Sequence, residues 1–541
     1  MRMLSSLFVA GAVALAVPVG AVAQHAHDAA APPQRVGTVN FSTSCDPSVG
    51  AEFNRGVALL HSFWFSAAID SFNKVLAADP DCAMAHWGIA MSWWSNPFGG
   101  FRPPAALAAG RAAVEQARAA KPGTAREQGY VNAVAELYKD YETVDQRTRI
   151  LAYEQAMEKL AATHPDDAEA RIFYALALDQ AALPTDRTYA KQLKAGAMLE
   201  KELPAQPDHP GIAHYIIHSY DVPSLAPRAL DAARRYAKIA PDAPHALHMP
   251  SHTFTRVGYW DESIDTNLAS AAAARKADAA SEELHALDYQ VYAYLQLARD
   301  AAARKVLAAI PAIGARIEER SAGNAAPAPA GYYALAAIPA RYALERHAWR
   351  DAAALEPRET PYPWADAVTY FARALGAARS GNPAAAAGDI EKLASLSAAL
   401  KAKNDSYWAG QVDIQRRVAA GWVAYAQARQ DEGLAMLREA VAMEDATEKS
   451  AVTPGPITPA REQLGEMLLD AKRPADALAA FEGTMKKEPN RFRALHGAAV
   501  AAEAAGDAAR ARTYYSQLVE LCRNADTPLR PELDAARRKG S

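Results

Sequence analysis

The chain has 541 residues, half of them hydrophobic, and a formal net charge of −4. This length exceeds what one hydrophobic core supports, so several domains or one extended array of elements is expected. A near-neutral chain without a basic stripe gives no reason to expect nucleic acid or an anionic membrane surface as a partner.

The first 23 residues have the features of a secretory signal peptide. Arg2 provides a positive charge, residues 7–19 form a short apolar stretch, and residues 21–23 offer the small side chains of a cleavage site. The apolar stretch is too short to span a bilayer comfortably, and no other segment resembles a transmembrane helix. We therefore expect a periplasmic or secreted protein with no membrane insertion after cleavage. Residues 24–44, rich in Ala, Pro, Gln and His, are predicted to be a flexible leader.

The three cysteines gain meaning from this predicted export, because an oxidising compartment permits disulfides. Cys45 lies just before the first predicted helix and Cys82 at the start of the third, whereas Cys522 lies in the last helix. We predict a Cys45–Cys82 disulfide and a buried, free Cys522. Two reduced and packed cysteines remain the alternative.

From residue 45 onward, a helical hydrophobic period is interrupted by prolines at intervals near 34 residues. Small residues let two helices approach closely, an aromatic side chain fills the gap between them, and a proline stops the second helix. No single helix pair buries its apolar face alone, so neighbouring pairs must stack. Two units show the pattern well, one at Gly56, Leu59, Ala68, Phe72 and Pro80, the other at Gly465, Leu468, Ala477, Phe481 and Pro489.

This pattern resembles the tetratricopeptide (TPR) repeat. The resemblance implies an all-α fold, a right-handed superhelical solenoid of helix-turn-helix repeats. Two regions also resemble a family of largely uncharacterised secreted bacterial TPR proteins. One is residues 53–94, with LLHSFWF and DPDCAMAHWGIAMSWW, and the other combines HYIIHSYD (214–221) with APHALHMPSHTFTRVGYWDESI (243–264). This second resemblance implies architecture and export, but no reaction.

Stretches rich in Pro, Gly and Ala near residues 321–331 and 452–459 are predicted loops or breaks between parts of the array. We accordingly predict an N-terminal TPR array over residues 45–320 and a C-terminal array over 333–524. Residues 525–541 are predicted to be a solvated tail.

Histidines are concentrated in one part of the repeat, with six of the 14 between His209 and His252. His214 and His218 are four residues apart on one predicted helix, and His248 and His252 are four residues apart on the next. Each pair therefore lies on one helical face. Both intervals between the pairs are 34 residues, one repeat, and equivalent positions of consecutive repeats lie side by side. The sequence thus predicts a two-by-two patch of imidazoles.

Three adjacent helices extend this patch. In the register of the repeats, His245 shares the helix of the second pair, and Asp221 follows the first pair. His285, Asp288 and Tyr292 occupy the matching positions of the next unit. The TPR resemblance implies that these positions line a concave groove. Pro250, inside the second helix, is expected to bend it and to misplace one histidine of that pair.

Convergent imidazole nitrogens are good ligands for transition metals. We predict a metal site, for zinc or copper, with a second set of residues that orient the ligands or contact a bound molecule. The predicted metal ligands are His214, His218, His248, His252 and His285. The predicted second set is His245, Asp221, Asp288 and Tyr292.

The sequence therefore predicts an exported scaffold that binds a protein or peptide in its concave groove and carries a metal site. A metal-dependent enzyme with hydrolytic or oxidative activity is one alternative. A metal-free interaction platform, in which the histidines serve recognition or simple packing, is the other. The sequence contains no phosphate loop, nucleophile elbow or dinucleotide fingerprint.

Overall fold

The computed structural model describes residues 34–100, 102–317 and 325–540, and the regular elements within these ranges are all helical. The all-α fold class predicted from the sequence is therefore confirmed. The predicted signal peptide and residues 24–33 of the predicted leader lie outside the described residues. None of the helices found there is long and apolar enough to cross a membrane.

The first part of the chain forms helical hairpins with short connections. Polar caps define several of the helix starts; at α5, for example, Thr124 and Glu127 form a reciprocal capping box. A short 3₁₀ helix, Pro47–Val49, precedes the first hairpin. The helices are α1 (Gly50–His61), α2 (Phe65–Ala78), α3 (Ala83–Trp94), α4 (Pro104–Ala119), α5 (Ala125–Tyr138), α6 (Gln146–Thr163), α7 (Ala168–Ala181) and α8 (Ala190–Glu202).

The middle part contains the histidine-rich helices. Pro250 divides the predicted helix that carries His248 and His252 into two pieces, because it lacks the N–H that would continue the hydrogen-bond ladder. Met249, between the pieces, keeps helical angles (φ −54°, ψ −35°). The two pieces therefore follow one another closely. The helices are α9 (Pro210–Ser219), α10 (Leu230–Ile239), α11 (Pro244–His248), α12 (Pro250–Val257), α13 (Trp260–Lys276) and α14 (Ala280–Gln296), with a 3₁₀ helix at Ala226–Ala229.

The rest of the chain continues the pattern, with consecutive helices packed against each other. Residues 35–541 form one compact unit. The helices are α15 (Asp300–Gly314), α16 (Ala328–Leu344), α17 (Trp349–Ala353), α18 (Pro363–Arg379), α19 (Ala387–Ala402), α20 (Ser406–Ala426), α21 (Gln430–Asp445), α22 (Ala460–Asp470), α23 (Pro474–Lys487), α24 (Phe492–Ala504), α25 (Ala508–Leu521) and α26 (Pro531–Lys539), with a 3₁₀ helix at Pro383–Ala386.

Glycine and phenylalanine positions of the repeat pack as the sequence pattern requires. The ring of Phe72 lies against Gly56 of its own unit and Gly88 of the next, where an added Cβ would come within 2.8 and 2.4 Å of ring carbons. Phe481 lies between Gly465 and Gly497 in the same way, with corresponding distances of 2.8 and 2.3 Å. These contacts show TPR-like packing of successive hairpins at both ends of the chain.

A disulfide links Cys45, ahead of α1, to Cys82 at the start of α3. This is the pair that the sequence predicted. Cys522 is free and buried, also in the predicted state.

The described part of the predicted leader is packed against the helices. Val36, Val39 and Phe41 are at most 5% exposed, and the Phe41 ring lies 5.4 Å from the ring of Trp87. The Thr38 N–H donates a 3.0 Å hydrogen bond to the carbonyl of Asp208. The prediction of a flexible leader is therefore wrong for residues 35–44, because this segment carries three apolar side chains that pack against the helices.

The predicted solvated tail is also partly structured. Within it, α26 packs against α25, and Leu533 and Ala536 are fully buried. Its basic residues Arg537 to Lys539 lie in the last turn of that helix. The prediction of a wholly solvated tail is therefore wrong, since one helical face carries apolar side chains.

The segment between α21 and α22, residues 446–459, is called the crossing loop here because it contacts residues far earlier in the chain. The N–H of Glu448 donates to the carbonyl of Pro184 at 3.1 Å, and the Tyr289 hydroxyl lies 3.2 Å from the carbonyl oxygen of Thr453. Lys449 Nζ lies 3.0 Å from an oxygen of Asp221. The predicted loop at 452–459 thus joins early and late helices.

Candidate metal centre

Six histidines from four helices meet in the interior of the protein. We call them the histidine cluster: His214 and His218 on α9, His245 and His248 on α11, His252 on α12, and His285 on α14. Their ring centroids form a continuous series, with neighbours 4.4 Å apart for His248 and His285 and 5.0 Å apart for His214 and His245. His218 is partly buried, and the other five are at most 5% exposed.

The nitrogens of the cluster fall into two trios whose donor atoms lie within 4.8 Å of one another. The first trio is His214, His218 and His245, and the second trio is His248, His252 and His285. The four histidines of the predicted two-by-two patch are therefore brought together, but each close pair of nitrogens is four residues apart in sequence, and a histidine from a later helix completes each trio. Pro250 does not separate its pair, because α12 continues almost directly from α11.

Each trio contains one close pair of Nε2 atoms. The distance is 3.1 Å between His218 and His214 and 3.1 Å between His248 and His252. Two imidazole nitrogens on one tetrahedral zinc ion, at Zn–N distances near 2.05 Å, are about 3.3 Å apart. The pairs therefore have nearly the spacing of two ligands on one ion.

Hydrogen bonds on the opposite side of the rings determine the tautomer of His214 and His252. His214 Nδ1 lies 2.6 Å from the carbonyl oxygen of His61, which only accepts, so the nitrogen carries the proton. His252 Nδ1 lies 3.0 Å from a carboxylate oxygen of Asp221 and is a donor for the same reason. In a neutral imidazole the Nε2 atom then carries a lone pair and no proton, and in both residues it faces the cluster.

The tautomer of His248 follows from Asn267. The Asn267 amide nitrogen donates a 2.7 Å hydrogen bond to the carbonyl of Ser263, which orients the amide oxygen toward His248. His248 Nδ1 lies 2.7 Å from this oxygen and therefore donates to it. The Nε2 atoms of His248 and His252 consequently face each other with two lone pairs, an arrangement that cannot form a hydrogen bond between neutral rings.

The third histidine of each trio has buried nitrogen without a partner. Neither ring nitrogen of His245 has a hydrogen bond within the described residues, nor does Nδ1 of His285. Leaving such an atom buried and unpaired costs about 1–3 kcal/mol. A bound metal ion would satisfy these nitrogens.

Burial keeps the imidazoles neutral. It lowers the pKa of His214 and of His285 to about 3. Burial, reinforced by neighbouring histidines, also holds the pKa of His218, His245 and His248 well below the ordinary value. Neutral imidazole is the form that binds metals.

Asp221 lies at one edge of the cluster and accepts a hydrogen bond from His252, in the region predicted from the sequence. Burial alone would raise its pKa, but Lys449, Arg256 and His252 hold that pKa well below the ordinary value. Arg256 Nε lies 2.8 Å from one of its oxygens, and Lys449 Nζ lies 3.0 Å from the other. A carboxylate bonded to a histidine in this way orients the ring.

Asp288 and Tyr292 do not join the cluster, which corrects the prediction for both. Asp288 pairs with Arg341 at 2.8 Å, and the Tyr292 hydroxyl accepts a 2.8 Å hydrogen bond from Arg491. Tyr292 lies seven residues after His285, so it is about 10 Å further along the helix axis. Tyr289 takes the expected place instead, with its hydroxyl 3.3 Å from His252 Nε2.

A second group of buried residues, which we call the Glu169 network, lies beside the cluster. The two oxygens of Glu169 accept hydrogen bonds from His61 Nε2 at 3.0 Å and His209 Nε2 at 2.8 Å. The remaining nitrogens are also used, His61 Nδ1 by the Tyr215 hydroxyl and His209 Nδ1 by the N–H of Ile212. Every donor and acceptor is paired, so this network supports the fold and offers no free ligand.

Sequence reasoning missed Asn267, Tyr289, Glu169 and Lys449. Of these, Tyr289 carried a usable signal, since it is four residues after His285 on one helix and thus shares its face. The other residues lie on elements that only the fold brings to the histidines.

A cleft opens on the far side of Lys449 and Arg256, with about 940 Å³ of empty space including its mouth. Aromatic and acidic side chains line much of it. Lys449 belongs both to this cleft and to the environment of the histidine cluster. The aromatic residues are Tyr333, Phe371, Tyr407 and Trp408, and the acidic ones are Glu444, Asp445, Glu448 and Glu488.

Fold and site together define an all-α scaffold of TPR-like helical hairpins with a buried group of histidines. No family model matches the chain, and no curated protein matches it. Solved structures with a similar arrangement include the human IFIT1 dimer with m7Gppp-AAAA (12% identity, TM-score 0.39, 82% of this chain and 90% of that one). The APC/C hetero-tetramer Cut9-Hcn1 also matches (12%, TM-score 0.31, 90% of each chain), as does the TPR domain of P58(IPK) (12%, TM-score 0.21, 91% of this chain and 98% of that one).

Proposed function

We propose that this protein is an exported helical scaffold that binds a transition metal, zinc or copper, through its histidine cluster. One observation carries the proposal: His248 and His252 each donate from Nδ1 to an oxygen and bring their Nε2 lone pairs to 3.1 Å. Two lone pairs this close repel each other, and a cation between them removes the repulsion. The distance is close to the spacing of about 3.3 Å between two nitrogens on one tetrahedral ion.

Burial of the ligands favours holding a metal over catalysis with it. His214, His248 and His252 are at most 1% exposed. A substrate that reacts at a metal must reach an open position on it, and rings packed this closely give it little access. Storage, delivery or structural use of the ion is therefore the activity we propose, in preference to a metal-dependent enzyme.

Elemental analysis of purified mature protein tests this proposal. Protein from the exported fraction is dialysed against zinc or copper salts, and the bound metal is measured per chain. We expect stoichiometric metal in the wild type and a reduced amount in His248→Ala. His86→Ala, a half-buried histidine outside the cluster, serves as the control and should keep the full amount. Wild-type protein without bound metal under all these conditions would exclude the proposal.

Export is supported by the predicted signal peptide and by the Cys45–Cys82 disulfide, since such bonds persist in oxidising compartments. Fractionation of the source cells tests it. The mature chain is expected outside the cytoplasm, without residues 1–23. A cytoplasmic chain with an intact N-terminus would contradict export.

The cleft supports a second candidate function, the binding of a protein or peptide. Its wall contains Trp408, whose ring stacks on that of Trp364 at 4.1 Å, and several acidic side chains. Apolar walls with a few polar groups are typical of ligand pockets. A photo-crosslinking amino acid at Gln411, in the cleft, should capture a ligand in cells, whereas the same group at Gly388, on an open helical surface, should not. Equal labelling at both positions would contradict binding in the cleft.

A further inference from the structure

We propose that the histidine cluster holds two copper ions in the monovalent state, one in each trio of imidazoles. This inference rests on the proposed metal binding and goes further in the number of ions, their ligands and their charge. The donor atoms form two separate sets, His214, His218 and His245 in one and His248, His252 and His285 in the other.

The two trios have the same construction, because the repeat duplicates it. Each contains an i, i+4 pair with Nε2 atoms 3.1 Å apart, and the second pair follows the first by one 34-residue unit. Each is completed by one histidine from a helix further along the chain, His245 on α11 in the first trio and His285 on α14 in the second. Those third histidines, His245 and His285, are the members with buried, unpartnered nitrogen.

A single ion would leave much of the cluster unexplained. A tetrahedral site takes four ligands, so at least two of the six histidines would remain without a role. The close Nε2 pairs both lie within a trio. Within each trio, all three donor atoms lie within 4.8 Å of one another. Two neighbouring ions use all six side chains.

The charge of the surroundings favours monovalent ions. All six ligands are neutral imidazoles, and the nearest carboxylate, Asp221, is already paired with Lys449 and Arg256. The energy needed to move an ion out of water grows with the square of its charge, so two dications in this buried place would be far more costly than two monocations. Imidazole is a suitable ligand for copper, and each trio provides three such rings.

Metal titration under anaerobic conditions tests the inference. Mature protein with its Cys45–Cys82 disulfide intact is titrated with copper(I) in competition with a chromophoric copper(I) chelator, and the number of bound ions is measured. We expect two ions in the wild type, one in His245→Ala, one in His285→Ala and none at the same affinity in the double variant. His86→Ala should bind two ions, as the wild type does.

The outcomes separate this inference from the proposed function. No bound metal of any kind would overturn both. One ion per wild-type chain would leave the proposed function standing and overturn the two-ion site. Two zinc ions bound more tightly than two copper(I) ions would overturn the preference for monovalent metal. Anomalous diffraction at the copper edge gives an independent count, with one peak expected in each trio and only the second-trio peak in His245→Ala.

His245 is a suitable position for this test because its nitrogens make no hydrogen bond within the described residues. Its replacement therefore removes a ligand without breaking the hydrogen bonds that orient the other rings. A thermal melt of the metal-free variant checks that the fold is retained. A folded His245→Ala protein that still binds two copper ions would overturn the assignment of the trios.

Discussion

The Nδ1–H of His214 donates a 2.6 Å hydrogen bond to the backbone carbonyl of His61, across 153 residues of sequence. This bond joins the histidine cluster on α9 to the end of α1. The His61 side chain points the other way, into the Glu169 network, where all its polar atoms are paired. The Glu169 network, in which the hydrogen bonds are satisfied, thus adjoins and helps to orient the histidine cluster, in which ligand nitrogens remain without a hydrogen bond.

The amide of Asn267 is predicted to tune metal affinity without touching the metal. Replacing it with Leu removes the acceptor for His248 Nδ1–H, and loss of such a partner typically lowers metal affinity about 10–100-fold. Asn267→Asp keeps an acceptor at this position and is the matched control. Competition titration against a chelator measures both. Equal affinities of Asn267→Leu and wild type would show that this bond does not orient a ligand.

Glu169→Gln is predicted to destabilise the protein without changing the metal count. In the wild type, both carboxylate oxygens of Glu169 accept a hydrogen bond from a histidine Nε2–H. The glutamine amide nitrogen instead places N–H groups against one of these donors. The buried donors are then unpaired, at a cost of about 2–3 kcal/mol. Urea unfolding of metal-free protein measures the loss. Glu158→Gln, a largely exposed position, should change stability by less than about 0.5 kcal/mol. Loss of metal from folded Glu169→Gln protein would contradict a purely supporting role for this network.

A pH-dependent loss of stability is predicted from Glu282. Burial raises the pKa of this carboxyl from 4.5 to about 7, although its oxygen accepts a hydrogen bond from the N–H of Ala326. Between these two values the unfolded chain has lost a proton that the folded chain keeps. The free energy of unfolding therefore falls as the pH rises through this window.

Glu282→Gln removes this titration while its amide oxygen still accepts from Ala326. At pH 8 the variant should be more stable than the wild type by up to about 3 kcal/mol, and near pH 4.5 the two should be equal. Urea unfolding midpoints at several pH values measure the difference. A difference that does not change with pH would show that Glu282 is ionised in the folded protein.

Close packing of the repeat predicts opposite effects at two helical glycines. Gly497→Ala places a Cβ 2.3 Å from the ring of Phe481, and overpacking of this kind costs about 1–3 kcal/mol. Gly410→Ala, inside α20 with no atom within 4 Å of its Cβ position, should gain about 0.5–1 kcal/mol. Thermal melts of both variants measure the signs. Stabilisation by both changes would mean that the aromatic ring is loosely held.

Much of the fold followed from the pattern of small, aromatic and proline residues. Gly465 and Phe481 pack together as that pattern requires, because the spacing within a helical hairpin is a local property. The exceptions were segments outside the repeat. Residues 35–44 and helix α26 carry short apolar faces, but nothing in their own sequence indicates which helices cover them.

Histidine positions were predictable to the same extent as the helices that carry them. Spacings of four and 34 residues placed His214, His218, His248 and His252 together, and the structure brings them together. The register failed at Tyr292, one turn beyond the place that Tyr289 occupies. An error of three residues displaces a side chain by about 4.5 Å along the helix axis, enough to exchange one set of neighbours for another.

The sequence by itself determined the helical repeat and the faces on which the histidines stand, since both arise from backbone hydrogen bonds that reach only four residues along the chain. Only the tertiary structure decided which ring nitrogens are free. The acceptors at His61, Asn267 and Asp221 and the cation of Lys449 come from segments 19 to 228 residues away from their partners. Ring orientation and protonation depend on such distant groups, so they are settled when the helices pack and not before.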